Sequence, residues 1–305
     1  MKISIVTTEH CFELLQPLIT AYQSKQYHVD WQDSGEALPA PSTLREMAQS
    51  SDAILLVGPG RRAPGTVLPG PVIRAGADRT IPVGWVPHLN DKSLAVFSHK
   101  TAAIHQRQIK YPESIAVLSQ WQPRYLQLAR RIEDILQQQH TAVYRWTSDM
   151  MFREDMIKGL GTGLAAAIYV GHGRPNGWVG YRGTRAQHFD SPASEPLGAL
   201  FSLCCRTASR RRTGVSFAEK IILSGVAGAV FGSVTDTLHR DNTRWAIRLI
   251  QALAENITTV GELITHALPI NDDAISDYRI IGDPLSPLVS ATSANESASK
   301  IPVYP

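Results

Sequence analysis

Cysteine is scarce in this chain. Among 305 residues there are three, Cys11, Cys204 and Cys205, and the vicinal pair has a spacing that rarely closes a structural bridge. No even disulfide framework emerges, which points to a reducing, cytoplasmic compartment. Long apolar runs are missing as well. No window approaches the roughly 18 residues of a membrane span, and the opening Met1-Lys2-Ile3-Ser4-Ile5-Val6 is too short for a secretory core before Glu9 and His10. Charge of one sign is nearly balanced, with a net of +3 and no long lysine and arginine tract, so neither nucleic acid nor a membrane surface is an expected partner.

Two nucleotide signatures are also absent. No GxGxxG follows any early strand, and "GPGRRAPGTVLPGP" (58–71) lacks GxxxxGK[ST] and carries prolines where backbone donors would be wanted. A small-molecule enzyme built on an N-terminal nucleotide fold therefore has no motif to support it. No metal or organic cofactor is called for.

What the chain does have is alternation. Residues 1–110 read as a small α/β subdomain: a strand from Ile3 to Thr7, then a helix from about Glu13 to Lys25, with Pro17 tolerable only in the first turn. Further strands are "DAILLVG" (52–58), "IPVGWV" (81–86) and "SLAVFS" (93–98). Unbroken β-branched and leucine runs of this kind suggest buried, largely parallel strands.

Residues 111–290 are more regular. Strands "SIAVLS" (114–119), "TAVYRW" (141–146), "LAAAIYVGHG" (164–173), "GALFSLCC" (198–205) and "AGAVFGS" (227–233) alternate with helices. The first helix runs from Pro123, suited to the first helical position, to Gln139, with Tyr125, Leu126, Leu128, Ile132 and Ile135 as its apolar stripe. The second covers 150–160 with Asp149 as cap. Ser216 with Glu219 opens the third as a capping box; Asp241 caps the fourth, to about Glu255; Thr259 with Glu262 opens the last, to Leu268. Such an order gives a mainly parallel sheet with helices on both faces. Residues 291–305 belong to a polar tail.

In open α/β sheets the functional crevice lies at the carboxyl ends of the strands. His172, in "YVGHG", stands at that end of one strand and the Cys204-Cys205 pair at that end of the next. A thiol near an imidazole can be held partly as thiolate and attack an acyl carbon. Gly171 and Gly173 permit a tight turn and a close approach, and the Gly173 amide is placed to help stabilise an oxyanion. On spacing alone, a buried cysteine pair and an unrelated surface histidine is an equally good reading.

The stretches "YVGHG", "LCCRT", "GVAGAVFGSVTDT" and "YRIIGDPLSPL" make residues 114–288 resemble the caspase-like cysteine peptidase clan. Trp178 after the GHG, and the late Gly282 to Leu285, resemble its gingipain-like and CHAT branches. The resemblance implies a caspase-like sheet, a His-Cys dyad carried onto His172 and Cys205, and a protein substrate. "Cys205-Arg206-Thr207" matches the CHAT pattern C-x-T and, in part, the caspase pattern C-R-G, which selects Cys205 over Cys204. The interval 205 − 172 = 33 residues is shorter than the roughly 50 of the caspase signature, which argues against a eukaryotic caspase.

The resemblance further implies that "GSVTDTLHRDNTRW" places Asp236 in the pocket for the residue before the cut. There a buried carboxylate would select arginine or lysine, with Trp178 and Asp241 nearby. The tryptophan expected just before this motif is absent. "RTASRRRTG" (206–214) lies where such enzymes carry a processing loop, with cuts expected after Arg210, Arg211 or Arg212. Enzymes of this kind often await an activating protein partner, and the alternative is a catalytically degenerate caspase-like binding module. His10 beside Cys11 lacks further ligands, His188 with Asp190 reads as a surface loop, and Asp272, Asp273 and Asp277 lack EF-hand spacing and read as a solvated turn.

Overall fold

The computed structural model describes residues 1–35, 37–59, 68–76, 79–107, 114–139, 141–190, 193–255, 257–268 and 273–288. The 291–305 tail, Asp272, most of the 58–71 loop and the expected boundary near residue 110 lie outside these residues.

The first half holds β1 (Lys2–Thr7), α1 (Glu9–Leu14), α2 (Gln16–Ser24), β2 (His28–Asp33), α3 (Pro41–Ser50), β3 (Ala53–Pro59), β4 (Val72–Arg74), β5 (Thr80–His88) and α4 (Asp91–Gln106). The expected helix from Glu13 to Lys25 is two helices, with Pro17 in the first turn of the second, where its missing N–H costs nothing. "SLAVFS" is not a strand but part of α4. Asn90 accepts from the Ser93 amide and caps the helix, and Leu94, Phe97, Thr101 and Ile104 are its buried positions. That spacing of three to four is the helical period, hidden in a six-residue window that looked uniformly apolar.

The second half holds β6 (Ser114–Ser119), α5 (Pro123–Gln138), β7 (Ala142–Thr147), α6 (Arg153–Leu160), β8 (Ala166–Val170), the short pair β9 (Gly173–Arg174) and β10 (Gly177–Trp178), and a single turn α7 (Gly180–Gly183). There follow β11 (Leu197–Leu203), α8 (Phe217–Leu223), β12 (Ala227–Ser233), α9 (His239–Ala252), α10 (Val260–His266) and β13 (Tyr278–Gly282). The Ser216–Glu219 capping box forms as expected, each side chain meeting the other's backbone. Two expected caps do not: Phe152 and Leu238 occupy the N-cap positions of α6 and α9, leaving Asp149 outside its helix and Asp241 inside the first turn. In the first turn a carboxylate still meets the positive end of the helix dipole.

One sheet of 11 strands runs in the order β2-β1-β3-β5-β13-β12-β11-β8-β6-β7, with β4 on β5. All neighbours in it are parallel except β12 with β13 and β4 with β5. Strands β8, β11 and β12 are buried on both faces, which is why they read as unbroken apolar runs. Alternate residues feed two cores: Ala167, Tyr169, Leu200 and Cys204 enter one, Ile168, Val170, Phe201 and Leu203 the other.

The last of the described strands, β13, lies between the two halves, antiparallel to β12 and parallel to β5. Its Gly282 has φ +112°, and a Cβ there would stand 2.3 Å from the Gly228 carbonyl oxygen, so a side chain is excluded on both counts. The next residue, Asp283, is fully buried; it accepts from Tyr22 (2.6 Å), the Leu285 amide (2.8 Å) and His105 (2.7 Å). This one carboxylate ties α2 and α4 to the turn after β13.

Candidate active site

The parallel ladder between β8 and β11 ends with Val170 opposite Leu203. His172 and Cys205 each follow two residues later, so both leave the sheet at the same level on neighbouring strands. The backbone after β8 is tightly held: the His172 N–H donates to Gln120 (2.8 Å), and its carbonyl accepts from Tyr169 (3.1 Å) and Val179 (2.9 Å).

The two cysteines differ sharply. Cys204 shares the face of Leu200 and Ser202, is fully buried and touches Ser202 at 3.4 Å; burial pushes its thiol up to about 12. Such a group is a thiol at neutral pH, not a thiolate. Cys205, the opposite parity, is partly exposed, and its sulfur receives the Thr237 N–H at 3.4 Å.

Glycine at position 173 is needed for space. A Cβ there would stand 2.4 Å from the Cys205 carbonyl oxygen and 2.5 Å from Cys204 Sγ. The close approach expected at this glycine is made by the cysteine segment itself. The two motifs are thereby packed directly against each other.

The imidazole of His172 has an unexpected neighbour. Arg124, at the start of α5, donates to Nε2 at 3.0 Å while lying 4.6 Å over the Tyr125 ring, and that ring meets the imidazole edge-on at 5.5 Å. Burial, then the Arg124 charge, holds the His172 pKa below its ordinary value. Nε2 is thus the acceptor, which places the proton on Nδ1. No carboxylate is paired with this ring among the described residues.

The expected substrate-binding residues fare differently. Trp178 is not at the surface: it is 2% exposed, stacks on Tyr169 at 4.3 Å and donates to Ser202 at 2.8 Å. It is packed into the core against Tyr169 and Ser202 rather than presented to a cleft. Asp236 is not buried either. Its side chain is 64% exposed and ion-paired with Arg206, because the turn after β12 carries it outward. Asp241 pairs with Arg240 at 3.5 Å.

The 206–214 segment is anchored. Arg206 and Ala208 donate from their amides to Thr235 and Ser233, and the Arg210 guanidinium grips the buried Glu219 carboxylate at 2.7 and 2.9 Å. Large apolar side chains remain exposed beside the dyad, Trp121 next to Gln120 and Leu238 next to Thr237. Gln120, Arg124 and Thr237 had no sequence signal, since tertiary packing alone brings them here. Arg174 and Arg206 did have one, each following a dyad motif directly.

The weaker candidates stand apart from the dyad. His188 accepts from the Arg185 amide, and Asp190 meets Lys220 at 3.7 Å. Cys11 is buried, whereas His10 and His88 both reach one oxygen of Asp91, at 3.0 and 2.8 Å, an exposed trio whose ligand atoms lie close enough to hold a metal ion. No helix among the described residues is long and apolar enough to cross a membrane.

Comparison with known proteins follows this geometry. The fold is similar to the crystal structure of the Arg-specific cysteine proteinase gingipain R (RGPB), with a TM-score of 0.75 and 13% identity over 95% of this chain and 79% of that one. The complex of the RgpB pro- and mature domains from Porphyromonas gingivalis gives 0.74 and 14%, over 95% and 81%. A solved structure described only as a protease gives 0.64 and 14%, over 93% and 78%. At such identities the likeness is one of fold. No curated protein matches the sequence. Residues 79–289, most of the chain, match the model of peptidase family C25, and the chain therefore belongs to that family of caspase-like cysteine peptidases.

Proposed function

We propose that the chain is a cysteine endopeptidase working through His172 and Cys205. His172 takes the proton from Cys205 Sγ as the sulfur attacks the scissile carbonyl carbon. The imidazolium then gives that proton to the leaving amine, the C–N bond breaks and a thioester remains. Water, deprotonated by the same imidazole, cleaves the thioester and restores the thiol. The amides of Gly173 and Cys205 serve as oxyanion donors.

The observation that carries this reading is the shared level of His172 and Cys205 at the ends of paired strands, with the neighbouring thiol buried and neutral. Arg124 occupies the Nε2 lone pair, so proton abstraction at that nitrogen requires it to turn away. Exposed Trp121 and Leu238 supply apolar surface for a peptide on either side.

A preference for arginine or lysine before the cut rested on an open, buried Asp236. That carboxylate is exposed and already neutralised by Arg206, so the preference does not form part of the proposal. Self-processing in the 206–214 segment would rest on the same preference; there Arg210 is held by Glu219, whereas Arg211 and Arg212 are exposed.

Intact-mass analysis after brief iodoacetamide treatment tests the dyad. One adduct is expected in the wild type and in Cys204→Ala, none in Cys205→Ala, and a slowed reaction in His172→Ala. Equal, slow labelling of all variants would leave the degenerate binding module as the better reading.

A further inference from the structure

The residue after each half of the dyad is an arginine. Arg174 follows Gly-His-Gly and Arg206 follows Cys-Cys. These two, with Arg211 and Arg212 from the segment after β11, line a single open cleft of about 290 Å3, with Asn176 and Thr213 between them. Because the Gly173 backbone lies against Cys205, both walls of the cleft start immediately beside the dyad.

The charge in this cleft is unbalanced. Asp236 neutralises Arg206, but Arg174, Arg211 and Arg212 are exposed and have no ion-pair partner among the described residues. Four guanidiniums face one carboxylate. Their mutual repulsion is an uncompensated cost in the empty protein, relieved by an anion.

Two further features hold the arginines in place. Arg210 and Glu219 pin the segment from beneath, at 2.7 Å with the carboxylate 1% exposed. Arg206 and Arg212 adopt left-handed backbone, φ +61° and +60°, a conformation that is strained for a non-glycine residue and persists where the surroundings impose it. Guanidinium forks match a carboxylate in a way that ammonium groups do not.

We infer that this cleft is a subsite for an acidic side chain of the peptide substrate, close to the scissile bond. The inference rests on the cysteine peptidase reading for the word substrate, but not for the binding itself. Asp236 then acts as a placeholder, holding Arg206 until the substrate carboxylate competes for it.

The test is calorimetric titration of end-blocked tripeptides centred on Glu, Gln or Lys into full-length Cys205→Ala protein, in which turnover is blocked. The Glu peptide is expected to bind at least about tenfold more tightly than the Gln peptide, and less so as salt rises. Arg174→Ala, and the pair Arg211→Ala with Arg212→Ala, are expected to remove that advantage while leaving the Gln peptide unchanged. Tighter binding of the Lys peptide, or an advantage for Glu that survives both variants, overturns the inference. Iodoacetamide labelling of Cys205 in the wild type runs in parallel. Acid-selective binding with an unreactive Cys205 sinks the dyad and keeps the cleft, whereas a reactive Cys205 without acid selectivity does the reverse.

Discussion

Gly173 and Cys205 touch backbone to backbone: a Cβ added to the glycine would lie 2.4 Å from the cysteine's carbonyl oxygen. The histidine turn and the cysteine turn therefore share one wall. Gly173→Ala must push them apart, and a displacement on the order of 1 Å at a catalytic pair costs about 100-fold. The expected result is a loss of that size in kcat/KM, with a fall in stability of about 1–3 kcal/mol by urea unfolding.

Removing the nucleophile should be far more severe. Cys205→Ala is expected to lower peptide hydrolysis by about 10³-fold or more, and Cys204→Ala to leave the rate within about threefold. A reversal of the two in a fluorogenic peptide assay would assign the chemistry to the buried thiol.

The pH profile follows from Arg124. Burial and the guanidinium both disfavour imidazolium, so His172 titrates below its usual 6.5 and stays a neutral base into mildly acidic solution. Arg124→Gln removes one of the two causes. The acid limb of kcat/KM should then move to higher pH, toward 6.5. An unmoved limb would show that the charge of Arg124 does not reach the ring.

Asp283 offers a prediction on stability alone. Its carboxylate is fully buried among Tyr22, His105 and the Leu285 amide. Asp283→Ala leaves three polar groups without their partner, an expected loss of about 3–5 kcal/mol, read as a lower urea midpoint. Tyr22→Phe should cost about 1 kcal/mol.

Trp178 separates a core role from a substrate contact. Trp178→Phe loses the bond to Ser202 and part of the stack on Tyr169, and is expected to cost about 1–3 kcal/mol. Peptide selectivity should not change. A changed cleavage pattern at unchanged stability would return this residue to the substrate.

The second half of the fold was largely legible because its central strands are covered on both faces, and nothing but a strand needs six or seven apolar residues in a row there. β6 and β12 coincide with their sequence windows. The first half was harder. β2, with its alternating half-buried face at the sheet edge, carries His28, Asp30 and Asp33 and shows no apolar run, while α4 has a dense enough apolar side to mimic a strand.

In the candidate site, His172 and the cysteine pair were visible as residue types at strand ends. The contact of Arg124 with His172 was not, since residues 48 positions apart meet only through the β6, β8 and α5 packing. Arg174 and Arg206 were in plain view, but a basic stretch has no sign of its partner until the carboxylates around it are counted. Asp236 misled for the same reason: a motif gives the residue and its place in the chain, and the turn geometry decides its exposure.

The position of β13 sets an order of events. Without residues 278–282, β5 and β12 each present an open edge where the middle of the sheet should be, and edges of that kind invite the wrong partner. Among the described strands, the one that closes them comes last in the chain. During translation the two halves thus wait, unjoined, until the ribosome has passed Gly282, and closure requires pairings of high sequence separation that form slowly. A chain cut short before Tyr278 would contain His172 and Cys205 yet lack the strand that unites the sheet around them, so proteolytic competence is expected only once residues 278–282 have joined the sheet.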